Sequence, residues 1–183
     1  METMENKLKV SLSTLEDKHS YHYMALSSDP ELIATMGWMP FRPDEKERFI
    51  QFTRVLSVPN QDGTKAFVFS IISEADGRAI GYTSIKGIDE EGASAEVGIA
   101  IMEREYRKHG YGTEALKQVV DHAFNKLDLT LLSLTVFLAN KVAIRVYEKV
   151  GFRKIKRLKD SWLLPNGEYT DLWLMELSRD SLS

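Results

Sequence analysis

The 183-residue sequence predicts one α/β domain, a mixed and mostly antiparallel twisted sheet of about seven strands with helices on both faces. Three observations predict it. The first third carries helical periodicity, and near Ala66 the pattern turns strand-like. Three strand-like segments then follow one another across short turn signals, the mark of an antiparallel meander. Beyond Gly110, helix, strand and helix alternate before two final strands, which calls for a crossover within the same sheet.

The elements follow in order. Leu8, Val10 and Leu12 alternate with polar residues as a first strand. Thr14 is placed to cap a helix over Leu15–Ser27. Asp29-Pro30 opens a short helix, with proline at its first position, that ends near Gly37. A third helix runs from about Pro43-Asp44 to Ser57, with Phe49, Phe52, Val55 and Leu56 as its apolar stripe. Ala66–Ser73, Ile80–Ile88 and Ala93–Met102 are strands, separated by the Asp76-Gly77 hairpin signal and the Asp89–Gly92 turn. Gly110–Lys126 is a helix, Leu131–Phe137 a buried strand and Lys141–Val150 a helix. Phe152–Leu164 and Tyr169–Leu177 form a last hairpin about Pro165-Asn166-Gly167. Residues 1–183 are expected to make one domain, with loose ends at about 1–6 and 179–183.

Composition narrows the function. The chain has no cysteine, which removes disulfides, thiolate nucleophiles and cysteine-based metal sites. A net charge of −3 argues against direct binding to nucleic acid. No run approaches the ~20 apolar residues of a membrane span. The N-terminus lacks a signal-peptide core, so a cytoplasmic location is expected. His19 and His22 share a helical spacing, but no further ligand pattern accompanies them and no metal is expected.

The most informative segment is Arg107-Lys108-His109-Gly110-Tyr111-Gly112-Thr113, a cationic, glycine-bearing loop at a helix start. Its backbone N–H groups and the positive end of the helix dipole make an anion site suited to a pyrophosphate. A glycine-assisted helix start with no ligand would look the same. The dinucleotide fingerprint also matches formally through Gly110, Gly112 and Ala115. It is disfavoured because charged residues separate the strand from the first glycine, and because Phe137 and Leu138 stand where an acidic residue belongs.

A second motif runs from Asn140 to Phe152. Asn140 is a good N-cap and Gly151 a good helix terminator. Asn140, Ala143, Ile144 and Tyr147 share one helical face, with Asn140 and Tyr147 about 10 Å apart at ~1.5 Å per residue. Alone, this pattern reads first as an ordinary amphipathic helix with a cap and a core tyrosine.

Taken together, the two motifs resemble the GNAT superfamily of N-acetyltransferases, within it the branch of ribosomal-protein alanine and spermidine acetyltransferases. Arg107, Gly110 and Gly112 match the loop; Asn140, Ala143, Tyr147, Gly151 and Phe152 match the helix. Ala95–Ile99 and Gly167-Glu168-Tyr169-Thr170-Asp171 also fit, so the likeness spans roughly Leu8–Leu177. The segment between Gly98 and Arg107 is about one residue longer than in many relatives and holds Glu103 and Glu105.

The resemblance implies a GNAT-like fold and acetyl-CoA as co-substrate, bound where two neighbouring strands part. Ile99, Ile101 and Met102 would meet the pantetheine arm and polarise the thioester. Arg107, Lys108, His109, Gly110, Tyr111, Gly112 and Thr113 would hold the pyrophosphate, and Asn140 the pantetheine region. Tyr147 would act as acid toward the departing thiolate and Glu96 as base, with the amine attacking directly. A non-catalytic acyl-CoA-binding regulator is the alternative of another class. The acceptor is expected to be a protein or peptide α-amine. Polyamines and antibiotic amines are the alternatives, since Asp44, Glu45 and Glu47 interleave with Lys46 and Arg48. Tyr21, Tyr23, Trp38, Phe41, Arg42 and Phe49 would line the acceptor side. A homodimer is compatible with this branch. The basic run Arg153, Lys154, Lys156, Arg157 and Lys159 reads as a solvated strand edge.

Overall fold

The computed structural model describes residues 10–37, 42–48, 50, 65–89, 91 and 93–182. Trp38, Phe41, Phe49, Phe52, Val55 and Leu56 lie outside them. The elements are β1 (Val10–Thr14), α1 (Asp17–Leu26), α2 (Pro30–Met36), β2 (Lys65–Ser73), β3 (Ala79–Asp89) and β4 (Ser94–Ile101). There follow α3 (Tyr111–Asn125), β5 (Leu131–Phe137), α4 (Lys141–Val150), β6 (Arg153–Leu163) and β7 (Tyr169–Ser178). A 3₁₀ turn at Pro43–Glu45 leads into helical backbone at 46–48.

One seven-stranded sheet runs in the order β1-β2-β3-β4-β5-β7-β6. Every pairing is antiparallel except β4 with β5. Strand alternation sends Ala95 and Val97 to one face of β4, where they join the core beneath α3 and α4, with Leu116, Val119 and Ile144. Ala100 and Met102 point to the other face and pack with Tyr23 of α1 and Leu32 of α2. The helices thus cover both faces. Among the described residues no helix is long and apolar enough to cross a membrane.

One local expectation changes. Thr14 does not cap α1, because it is the last paired residue of β1, opposite Phe69. Glu16 takes the cap position, and its backbone N–H donates to His19 Nδ1 at 3.2 Å. The described end of the chain is ordered over Arg179–Leu182, which forms a 3₁₀ turn, and the Arg179 guanidinium donates to the Phe124 carbonyl and to Asp128 at 2.9 Å.

Candidate active site

The parallel pair carries the site. β4 and β5 are in register only at Ser94↔Leu131, Ala95↔Leu132 and Glu96↔Ser133, and then they part. Met102 N–H donates to Ile80 O of β3 at 2.8 Å. Because backbone direction alternates along a strand, Ile99 and Ile101 direct their amide groups away from β3, into the gap. A cavity of about 370 Å³ occupies that gap. Ile99, Ala100 and Ile101 form one wall, Ala139 to Ala143 and Tyr147 the opposite one, and Leu32, Thr35 and Met36 of α2 close it from the side. Its size and mainly apolar walls suit an extended organic arm.

One end of the cavity is the glycine loop. Gly110 caps α3 at φ +94°, a left-handed conformation favoured by glycine, and Gly110, Gly112 and Thr113 line the cavity. The first-turn amides of a helix have no partner within it, so the start of α3 offers donors to an anion.

The other wall is α4. Asn140 Oδ1 accepts from Ala143 N–H at 3.1 Å, and Asn140 Nδ2 reaches Thr35 O of α2 at 3.5 Å. Tyr147 follows two turns later, buried, with its ring edge-on to Phe152. Its hydroxyl makes no hydrogen bond among the described residues. Burial pushes the phenol up to about 12, so it is a proton donor at neutral pH and never a base there.

Arg107 is a brace. Its guanidinium donates to Ile101 O at 2.9 Å and to Met102 O at 2.6 Å, and pairs with Asp29 at 3.2 Å and Glu31 at 3.1 Å. It therefore fastens the end of β4 to the start of α2, with its donors committed to protein acceptors. Lys108 pairs with Glu31 at 2.7 Å. Arg104 pairs with Asp29 at 2.9 Å, and hydrogen bonding from Arg104 is the largest cause holding the Asp29 carboxyl at about 2. In the longer segment before the loop, Glu103 is buried and accepts from His22 Nε2 at 2.7 Å and Arg78 at 2.8 Å.

The face of α1 and α2 is the second approach to the gap. Glu96 lies there, on the last rung where β4 and β5 pair. It is half-exposed and held by Lys86 at 3.0 Å. The register carries this rung onward to Ser133 and then Glu176 of β7, all on one face. Further along, Trp162 of β6 donates its indole N–H to Gly37 O at 2.8 Å and meets Phe137 edge-on, while keeping 41% of its surface exposed. Asp44 and Glu45 are engaged by Arg42 and Arg48, at 3.5 Å for Arg42–Asp44 and 2.8 Å for Arg48–Glu45.

The cavity therefore gathers Ile99, Ile101, Arg107, Lys108, Gly110, Gly112, Thr113, Asn140 and Tyr147. It does not gather Met102, His109, Tyr111 or Glu96. Met102 is fully buried in the second core, and His109 is exposed. The ring of Tyr111 packs on Tyr106 at 5.1 Å between centroids. Sequence reasoning missed the α2 wall of Glu31, Leu32, Thr35 and Met36. The capped helix itself was visible; which wall it would form was not.

The pattern of the acetyltransferase (GNAT) domain family matches residues 9–153. The chain is 29% identical over 151 residues to an uncharacterized N-acetyltransferase p20 of Bacillus licheniformis, covering 82% of each. Its fold is similar to spermidine N-acetyltransferase of Vibrio cholerae in complex with CoA and spermine. That TM-score is 0.80, at 20% identity over 95% of this chain and 98% of that one. It is also similar to Mycobacterium smegmatis RimJ in complex with CoA-disulfide, with a TM-score of 0.82 at 20% identity, over 94% of this chain and 83% of that one.

Proposed function

This chain belongs to the GNAT family of acetyl-CoA-dependent N-acetyltransferases, and on that premise we propose that it acetylates a primary amine across the β4–β5 gap. The observation that carries this is the break in pairing after Glu96↔Ser133, which leaves the amides of Ile99 and Ile101 facing a cavity floored by Tyr147.

The pantetheine arm lies along β4 as a surrogate strand, and the pyrophosphate sits on the Gly110–Thr113 amides. The amine, arriving from the face of α1 and α2, attacks the thioester carbon. The oxyanion that forms accepts a hydrogen bond from the Ile99 N–H. As the C–S bond breaks, Tyr147 donates its hydrogen to the leaving thiolate. A phenol at about 12 against a thiol of ~8.5 makes complete transfer uphill by about 5 kcal/mol, so the chief effect is a strong hydrogen bond to the developing charge. The proton lost by the amine passes to Glu96, directly or through water. Arg107 acts as a brace for β4 and the loop, with the backbone supplying the phosphate donors.

The acceptor that fits best is a peptide or protein N-terminal α-amine. Its pKa of ~7.7–8.0 leaves part of it neutral, so the half-exposed Glu96 suffices as base. The exposed face of Trp162 offers an apolar wall for the first side chain. One observation favours a second reading, a small polycationic amine: Glu96 and Glu176 flank Ser133 across two strand spacings, about 10 Å. Release of CoA from acetyl-CoA, followed with N-terminal peptides, polyamines and amino sugars, separates the two. Peptides are expected ahead; spermidine far ahead would move the assignment to the second. Tight CoA binding with silence toward every amine would indicate a non-catalytic acyl-CoA-binding protein.

A further inference from the structure

Glu31 presents a carboxylate inside the cavity that the proposed chemistry leaves unused. It sits in the first turn of α2 and shares the cavity lining with Lys108, Gly110, Gly112 and Thr113, the groups placed to meet a pyrophosphate. One oxygen is 2.7 Å from Lys108 Nζ and the other 3.1 Å from Arg107 Nη1. The two cations differ. Arg107 keeps only 10% of its side chain exposed and is also tied to Ile101 O, Met102 O and Asp29, so it stays in place. Lys108 is mostly exposed, and its ion pair among the described residues is with Glu31 alone. Its backbone stands at φ +65°, a left-handed conformation uncommon for a residue other than glycine.

We propose that Glu31 is an internal stand-in for the cofactor's phosphates: it holds Lys108 while the cleft is open and yields it when the pyrophosphate arrives. The proposal rests on acetyl-CoA occupying the β4–β5 gap. A carboxylate beside a polyanion repels it, and here the repulsion is offset only while Lys108 and Arg107 remain shared. Cofactor binding therefore costs the Glu31–Lys108 pair and releases one tie between α2 and the loop. The other end of α2 bears on the acceptor face, through Gly37 O and Trp162. Glu31 is thus a positioning residue that sets cofactor affinity and links α2 to occupancy of the cleft.

The test uses the full chain and two probes, CoA and pantetheine, which lacks the pyrophosphate and nucleotide. Glu31→Gln keeps the shape of the side chain and removes its charge. It is expected to tighten CoA by about three- to tenfold at low salt, to lose most of that gain near 0.5 M salt by screening on the order of a few ångströms, and to leave pantetheine unchanged. With Lys108→Met in place, Glu31→Gln should change CoA affinity by less than about twofold, since the competed cation is gone. Unchanged or weaker CoA binding in Glu31→Gln, or equal tightening of CoA and pantetheine, would overturn the proposal while leaving the cleft assignment intact. Wild-type protein that binds neither probe would remove the cleft assignment and this proposal together.

Discussion

Tyr147→Phe is expected to lower kcat by about two to three orders of magnitude while the Kd for acetyl-CoA stays within about twofold. The size follows from losing one pre-aimed donor to a developing charge in a dry site. The lost interaction exists only as the C–S bond breaks, so kcat and kcat/KM fall together. Stability should hold, because the phenol makes no hydrogen bond among the described residues and the ring that packs on Phe152 is retained. The pH profile checks the assignment independently. Burial raises the phenol to about 12, so the donor form is fully present below pH ~10 and is lost only as pH rises toward 12. Wild-type kcat should therefore show no alkaline fall caused by Tyr147 below about pH 10. Unchanged turnover in Tyr147→Phe would take the residue out of the acid role. An alkaline limb near pH 8 that disappears in the variant would contradict a phenol held protonated by burial.

Gly81→Ala should damage both the fold and the cofactor site. Gly81 pairs with Ile101, and a Cβ there would lie 2.1 Å from Ala100 O and 2.9 Å from Ile101 Cα. These are backbone atoms that cannot rotate away, so β3 and β4 must separate at the rung that lines the cleft. The Tyr23 hydroxyl also donates to Gly81 O, so the movement would disturb the buried contact beneath α1. A loss of about 3 kcal/mol, or roughly 10 °C in Tm, is expected, with acetyl-CoA binding weakened more than about tenfold. Gly112→Ala is the matched control: its Cβ would meet Ile101 Cγ1 at 3.5 Å, an ordinary contact. Its Tm should stay within a few degrees, at roughly the cost of a surface change. An equal loss of Tm in the two variants, measured by calorimetry, would refute the steric explanation.

How much of the fold and the site was legible in the chain follows from how local each signal is. β5 and α4 fall on their predicted residues, because Leu131–Phe137 is a compact apolar run and because Asn140 and Gly151 mark the helix ends by their own hydrogen bonds and φ. α2 was equally plain, with Asp29 capping, Pro30 at its start and Gly37 at φ +65°. Thr14 failed as a cap because a partner in another strand, Phe69, claims it. The insertion of β7 between β5 and β6 and the parting of β4 from β5 are tertiary pairings, and no residue spacing encodes them. Arg107 shows the same limit at the site. Its charge beside a glycine loop suggested an anion ligand, yet its carboxylate partners Asp29 and Glu31 lie 78 and 76 residues away. That the loop glycines, Asn140 and Tyr147 meet at one cavity follows from each being tied to a helix end or face; the α2 wall and the rung through Glu96, Ser133 and Glu176 needed the sheet.

The most direct test of the central claim is a crystal structure of this chain with CoA. The pantetheine arm is expected between β4 and β5, its sulfur within hydrogen-bond distance of Tyr147 Oη, and the pyrophosphate on the backbone amides of Gly110 to Thr113. CoA bound outside that gap, or a sulfur turned away from Tyr147 with the phosphates remote from the start of α3, would contradict the claim.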